Sequence, residues 1–400
     1  MSLISKKLDL IKPSPTIAVT MQAKELRAMG KDVIGLGAGE PDFDTPDNIK
    51  QVACDAIKSG KTKYTPVDGI SELKTAVVSK FLTENQLSYE NNQISIGCGA
   101  KHVIFNIFVA TLNHNDEVII PAPFWVSYPD MVLINGGKPI IVNTLVKDNF
   151  KLTPEALKKS ITNRTKWLIL NSPNNPTGSY YTKSELEKLA NVLSEYPHIH
   201  IISDDIYEHI RYSDDQYVNI ANVNDDMKAR TLVVNGVSKA YAMTGWRIGY
   251  VAGNKDIIKA ISKIQSQSTS NPCSISQYAS IEALSKNSRE FIKKNKLIFK
   301  KRRDLVIDLL YDINGITTNT PDGAFYIFPS CQQLIGKKSP DGEAIQNCTD
   351  FAKYLLKEAL VAIVPGIAFG AENFFRISYA TSEELLIKAL TRIKIACEKL

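Results

Sequence analysis

The chain has little that would staple it, anchor it or load it with metal. Its six cysteines, Cys54, Cys98, Cys273, Cys331, Cys348 and Cys397, are scattered. None forms a CxxC pair, and none of the five histidines stands at metal-ligand spacing. That pattern speaks against a disulfide framework and a zinc site, and suits a reducing compartment. The opening residues, MSLISKKLDLIKPSP, lack a long apolar stretch of the kind a secretory signal needs. No run approaches the length of a membrane span, so the cytoplasm is the expected location and no membrane partner is expected. Basic character is also thin. The net charge is +6 over 400 residues, and the densest run is only Lys300 to Arg303. Such a run reads as the solvated face of a helix, so no nucleic-acid partner is expected. The mild positive bias suits anionic metabolites.

What remains is ordinary globular material, 44% hydrophobic and 22% charged, long enough for two or three domains. No internal repeat is evident. Short apolar runs at 94–97, 117–122, 166–170, 199–203, 231–235 and 248–252 read as strands. Helical spacing follows at 100–112 and 183–194. Strands alternating with helices predict an α/β fold with a doubly wound, mainly parallel sheet. After about Lys255 the pattern changes. A long charged helix is predicted at 285–311, then an α+β region with strands at 323–328 and 374–379. These features divide the chain into an N-terminal segment (1–45), a large domain (46–299) and a smaller C-terminal domain (300–400). The small domain draws on both chain ends.

Polar residues worth attention follow the predicted strands, where ligands bind in open parallel sheets. Asn235-Gly-Val-Ser238-Lys239 leads into Gly245-Trp-Arg247-Ile-Gly249. A lysine there can bond a cofactor aldehyde, and its nucleophilicity rises when burial or a nearby cation lowers its pKa. Arg247 offers a fork for phosphate, and Ser238 a hydroxyl. A bare Ser-Lys pair is common in loops; the full spacing is not. Ser203-Asp204-Asp205-Ile-Tyr207 places a carboxylate at a strand end, where it can keep a pyridine nitrogen protonated. Tyr207 then reaches a ring oxygen. Asn171-Ser-Pro-Asn-Asn175-Pro176 is turn chemistry that also gives Asn175 a hydrogen bond to the ring or to substrate. Gly97-Cys-Gly99-Ala100-Lys101 is a glycine-rich helix entry suited to phosphate. Trp125 is flat enough to stack on a ring.

Together these segments resemble the fold-type I, pyridoxal-phosphate-dependent class I aminotransferases. The likeness is closest to the bacterial aspartate aminotransferase subgroup that includes aspartate/prephenate enzymes. It runs from Lys12-Pro-Ser-Pro-Thr16 through Gly37-Ala-Gly39-Glu-Pro-Asp-Phe to Arg376-Ile-Ser-Tyr-Ala380. The resemblance implies pyridoxal 5′-phosphate on Lys239, with Asp204 at the ring nitrogen. Tyr207 and Asn175 lie at the ring oxygen, and Trp125 stacks on the ring. Gly99, Ala100, Lys101, Ser238 and Arg247 surround the phosphate. Arg376 grips the substrate α-carboxylate, and Gly39 gives it a backbone contact. It also implies a homodimer in which Tyr64 reaches the neighbouring subunit's phosphate. Amino acids and 2-oxo acids are the expected small-molecule substrates, exchanged by ping-pong transfer between aspartate and 2-oxoglutarate, with prephenate a further acceptor. A distal substrate carboxylate has no evident arginine; Lys12, Lys101 and Thr16 are the candidates. The chain departs from the family's Asp-Glu-x-Tyr, carrying Asp205 at the second acid. Another enzyme on the same scaffold, such as an aromatic or kynurenine aminotransferase, a C–S lyase or a racemase, or a binding protein that has kept the fold, are the rival readings. The early start of the motifs disfavours the latter.

Overall fold

The computed structural model describes residues 3–13 and 15–400. Strand β1 (Ile34–Gly35) stands apart from the main sheet. Seven strands build that sheet: β2 (Ile94–Gly97), β3 (Glu117–Ala122), β4 (Lys138–Asn143), β5 (Thr165–Asn171), β6 (His200–Asp204), β7 (Thr231–Gly236) and β8 (Gly249–Ala252). Their order is β2-β8-β7-β6-β5-β3-β4. All neighbours pair in parallel except β8, which runs antiparallel to both β2 and β7. Strands β5 to β7 are buried along almost their whole length, as expected when helices cover both faces. Their apolar runs made them visible in the sequence.

Strand β4 was not predicted. It forms the sheet edge, carries a proline and alternates exposed with half-buried residues, so it lacks the continuous apolar run of its neighbours. Helix Lys183–Ser194 forms as predicted. Thr182 and Glu185 cap each other's backbone amides, which fixes its start. The long helix is Arg289–Tyr311, entered through a 3-10 turn at Lys286–Ser288. It runs unbroken through position 299/300.

Beyond it lie β9 (Tyr326–Ile327), β10 (Val361–Ala362), β11 (Val364–Pro365) and β12 (Phe375–Ser378). The strand expected at 323–328 is thus shorter, because Ala324 has a positive φ of 57° that breaks the extended run. β11-β12-β9 form an antiparallel sheet, and β1 pairs in parallel with β10. Ala23 and Val33 pack with Leu356 and Ala362, so the two chain ends share a core. No helix among the described residues is long and apolar enough to cross a membrane.

Candidate active site

The carboxyl ends of β2, β3, β5, β6 and β7 open on one side of the sheet. The loops that follow them surround a cavity of about 260 Å³, which Arg376 of β12 reaches from the smaller sheet. Thr16, Gly39, Ala100, Lys101, Trp125, Asn175, Asp204, Tyr207, Ser238, Lys239, Arg247 and Arg376 all line it. Lys239, mostly buried, donates from Nζ to the Gly39 carbonyl at 2.5 Å. Burial, then the charge of Arg376, pushes its pKa down to about 8. A neutral amine is therefore within reach near physiological pH, which an exposed lysine would not offer.

Asp204 is buried at the end of β6. Burial pushes its carboxyl up to about 6, against the pull of a Tyr128 hydroxyl that donates to Oδ2 at 2.6 Å. Asp205, its neighbour, is aimed elsewhere. Ser203 Oγ donates to it at 2.6 Å and Asn219 Nδ2 at 2.7 Å, and burial beside Glu208 pushes it up to about 8.

Arg376 is only 2% exposed. It donates to Asn175 Oδ1 at 2.8 Å and to the Gly37 carbonyl at 2.6 Å. Its Nε has no partner, and among the described residues no carboxylate pairs with it. The guanidinium lies near two aromatic rings, Tyr326 at 4.4 Å and Phe369 at 5.0 Å. A buried cation without a counter-ion is costly, so an anion entering the cavity would find this charge unopposed.

A second positively charged feature also lines the cavity. Helix Ala100–Thr111 starts at Gly99 with no side-chain cap, so its first amides are free for an anion. Arg247 leans over this turn, held by the carbonyls of Thr244 at 2.8 Å and Cys98 at 3.3 Å, with its guanidinium exposed. Gly99 has φ +91°, and a Cβ there would come within 2.4 Å of Arg247 Nη2. Only glycine permits that approach.

The family model for aminotransferase class I and II matches residues 31–393. A Rickettsia felis protein named "Probable aspartate/prephenate aminotransferase" is 55% identical over 397 residues, covering 99% of this chain and 97% of the relative. A crystal structure of the aspartate aminotransferase from Rhizobium meliloti is 48% identical, superposes with a TM-score of 0.97 and covers 100% of both chains. The Thermus thermophilus aspartate aminotransferase solved with maleate is 43% identical at a TM-score of 0.93, covering 99% of this chain and 100% of that one. The chain belongs to the class I and II aminotransferases.

Three expected residues of this aminotransferase are not among those lining the cavity: Gly99, which precedes the lining residue Ala100, Tyr64 and Lys12. Tyr64 is 91% exposed and touches nothing in the site of its own chain. Lys12 lines an adjoining cavity of about 460 Å³ that shares Lys101 and Arg247 with the first, and there its charge acts on Asp130. Lys101 stands between the two, with Nζ 4.9 Å from the Trp125 ring centroid. Lining residues with hydroxyl groups that were not singled out in the sequence include Tyr128, Thr244 and Tyr326. Tyr128 had a weak signal, one helical step after Trp125, against which it packs edge-on at 5.2 Å.

Proposed function

We infer that this aminotransferase uses pyridoxal 5′-phosphate on Lys239 and moves the amino group between L-aspartate and 2-oxoglutarate, forming oxaloacetate and L-glutamate, with prephenate as a further acceptor. One observation carries the reading. A lysine of lowered pKa, a buried carboxylate and a buried arginine without a counter-ion line one cavity together with an uncapped helix start.

The residues fit that cofactor. Arg247, Ser238 and the amides at Ala100 and Lys101, in the turn that Gly99 opens, would hold its phosphate, Asp204 its ring nitrogen, Tyr207 and Asn175 its phenolic oxygen, and Trp125 its face. When bound, it supplies an aldehyde carbon that bonds amines and a protonated ring that accepts an electron pair. The chain does the rest. Arg376 holds the substrate α-carboxylate in its fork and Gly39 supports it. Lys239 Nζ would take the proton from the substrate α-carbon and deliver it to the former aldehyde carbon of the cofactor, the shift that separates amino-group transfer from racemisation. Asp204, kept ionised by Tyr128, holds the proton on the ring nitrogen.

The substrate class is supported by the names of the relatives and by maleate, a dicarboxylate, in the Thermus thermophilus structure. Lys12, Lys101 and Thr16 are the proposed contacts of the distal carboxylate. The exposure of Tyr64 supports its donation to a second copy, hence a homodimer with shared sites. All six cysteines are free thiols, in keeping with a cytoplasmic setting. The division at 45/46 and 299/300 belongs to the same proposal, supported by the separate sheets on either side.

Mixing the loaded protein with aspartate, glutamate, tyrosine, alanine and kynurenine, while following the cofactor spectrum, tests the reading. Aspartate and glutamate are expected to convert the cofactor to a stable amino form. No such form with glutamate would overturn transamination in favour of a lyase or racemase.

A further inference from the structure

Tyr326 has no task in the scheme above, yet it is fully buried against the cavity. On the smaller sheet it lies opposite Ser378, which sets Arg376, two residues along β12, one diagonal step away on the same face. Its hydroxyl leaves that sheet and meets the Tyr207 hydroxyl, on the loop after β6, at 2.8 Å. Gly39 adjoins it too: a Cβ there would come within 3.2 Å of the Tyr326 oxygen. The Gly39 carbonyl is the acceptor of Lys239. One phenol thus stands among the surroundings of Lys239, Tyr207 and Arg376.

Counting protons fixes its orientation. Each phenol has a single proton to donate. In the proposed function Tyr207 gives its own to the phenolic oxygen of the cofactor. The contact between the two hydroxyls then has one arrangement left, Tyr326 donating to Tyr207. A hydroxyl that accepts a hydrogen bond donates more strongly itself. Packing holds the pair in register: the Tyr207 ring meets Phe325 at 5.5 Å and Tyr326 at 5.7 Å, edge-on in both cases. The charged groups around the pair are Arg376 and Asp204, whose charges act on Tyr207, and Lys239, whose Nζ lies 5.9 Å from the Tyr207 ring centroid.

We propose that Tyr326 is a positioning residue for amino-group transfer: its hydroxyl donates to Tyr207, strengthening the bond Tyr207 gives the cofactor and linking the sheet that seats the substrate carboxylate to the loop that seats the ring. This rests on the proposed function. Without Tyr326 as donor, the cofactor's phenolic oxygen bears negative charge less well. The proton shared between that oxygen and the nitrogen of the Lys239 linkage is then kept to higher pH.

The test is a pH titration of the absorbance of the loaded protein, in wild type, Tyr326→Phe, Tyr207→Phe and the double variant. Tyr326→Phe should raise the midpoint by roughly 0.1–0.6 of a unit, the share by which one hydrogen bond strengthens the next. In the Tyr207→Phe background the same change should add almost nothing. Succinate binding to unloaded Tyr326→Phe, by calorimetry, should match wild type, because phenylalanine keeps the ring near Arg376. An unmoved midpoint in Tyr326→Phe, with wild type titrating normally, overturns the proposal alone. So does an equal shift in the Tyr207→Phe background, or a parallel loss of succinate affinity, which would mark a merely structural role. A wild-type protein that takes up no cofactor overturns the underlying function, and this inference with it.

Discussion

Replacing Tyr128 with phenylalanine removes one oxygen from the interior and leaves the edge-on packing on Trp125 in place. The lost contact is a phenol donating to a buried carboxylate at 2.6 Å. Hydrogen bonds to charged acceptors contribute about 1.5–3 kcal/mol, or roughly one to two pKa units. Asp204 of the unloaded protein, at about 6, should therefore move to roughly 7–8. At pH 7 its ionised share would fall from about nine-tenths to between about a half and a tenth. In the proposed function pyridoxal 5′-phosphate binds with the ionised form opposite its ring nitrogen. The affinity ratio between wild type and Tyr128→Phe should thus depend on pH. Well below pH 6 both proteins must ionise Asp204 to bind, and the ratio should approach about tenfold to a hundredfold. Near pH 9 both are ionised already, and it should fall toward about one. Equilibrium titration of the unloaded proteins with the cofactor across that range measures it, and the carboxyl band in difference infrared spectra reports Asp204 directly. A ratio that stays constant with pH would show that Tyr128 acts by packing alone, and the electrostatic reasoning would fail.

The folded Asp204 has a pKa raised from its ordinary 3.8 to about 6, so the unloaded protein should lose up to about 3 kcal/mol as pH rises through that window. Asp204→Asn should remove that loss, raising the thermal midpoint of the unloaded protein more at pH 8 than at pH 5. Lys80 has a fully buried side chain paired with Glu208, which also accepts from Asn85 and Asn235. Lys80→Met, leaving that carboxylate unpaired, should cost about 3–5 kcal/mol in thermal denaturation, and adding Glu208→Gln should restore much of it. Mixed subunits of inactive Tyr64→Ala and Lys239→Ala proteins should regain activity if the sites are shared; no recovery on mixing would count against the shared dimer. Lys12→Ala should lower kcat/KM for aspartate, glutamate and prephenate by about tenfold or more, about 1.4 kcal/mol, and for alanine much less. Equal losses on aspartate and alanine would remove Lys12 from the distal-carboxylate site.

Much of the site was readable because parallel strands write themselves as apolar runs and put polar residues at their ends. Lys239, Asp204, Tyr207 and Asn175 each follow such a run, and the cavity gathers all four. The edge strand β4 escaped because one of its faces meets solvent. Tyr128 and Tyr326 escaped for a different reason. An aromatic residue in an apolar segment reads as core, and in burial both are core. Their partners, Asp204 and Tyr207, lie 76 and 119 residues away, a distance over which local spacing carries no information.

Asp205 shows the same limit from the other side. Two adjacent acids look alike in sequence, but successive positions along an extended chain point to opposite faces. Asp204 therefore faces the cavity and Tyr128. Asp205 turns into a nest of Ser203 and Asn219 behind it. There a shorter acid than the family's usual glutamate is accommodated without touching the chemistry. The departure from the Asp-Glu-x-Tyr pattern thus falls on a residue whose neighbours are all supplied by the chain. At the position facing the cavity stands Asp204, which the proposed function assigns to the ring nitrogen. A change at the second acid therefore leaves the groups that face the cavity as they are. What the site demands is fixed by the ligand's charges, and what the scaffold behind it demands is only that each buried polar atom finds a partner.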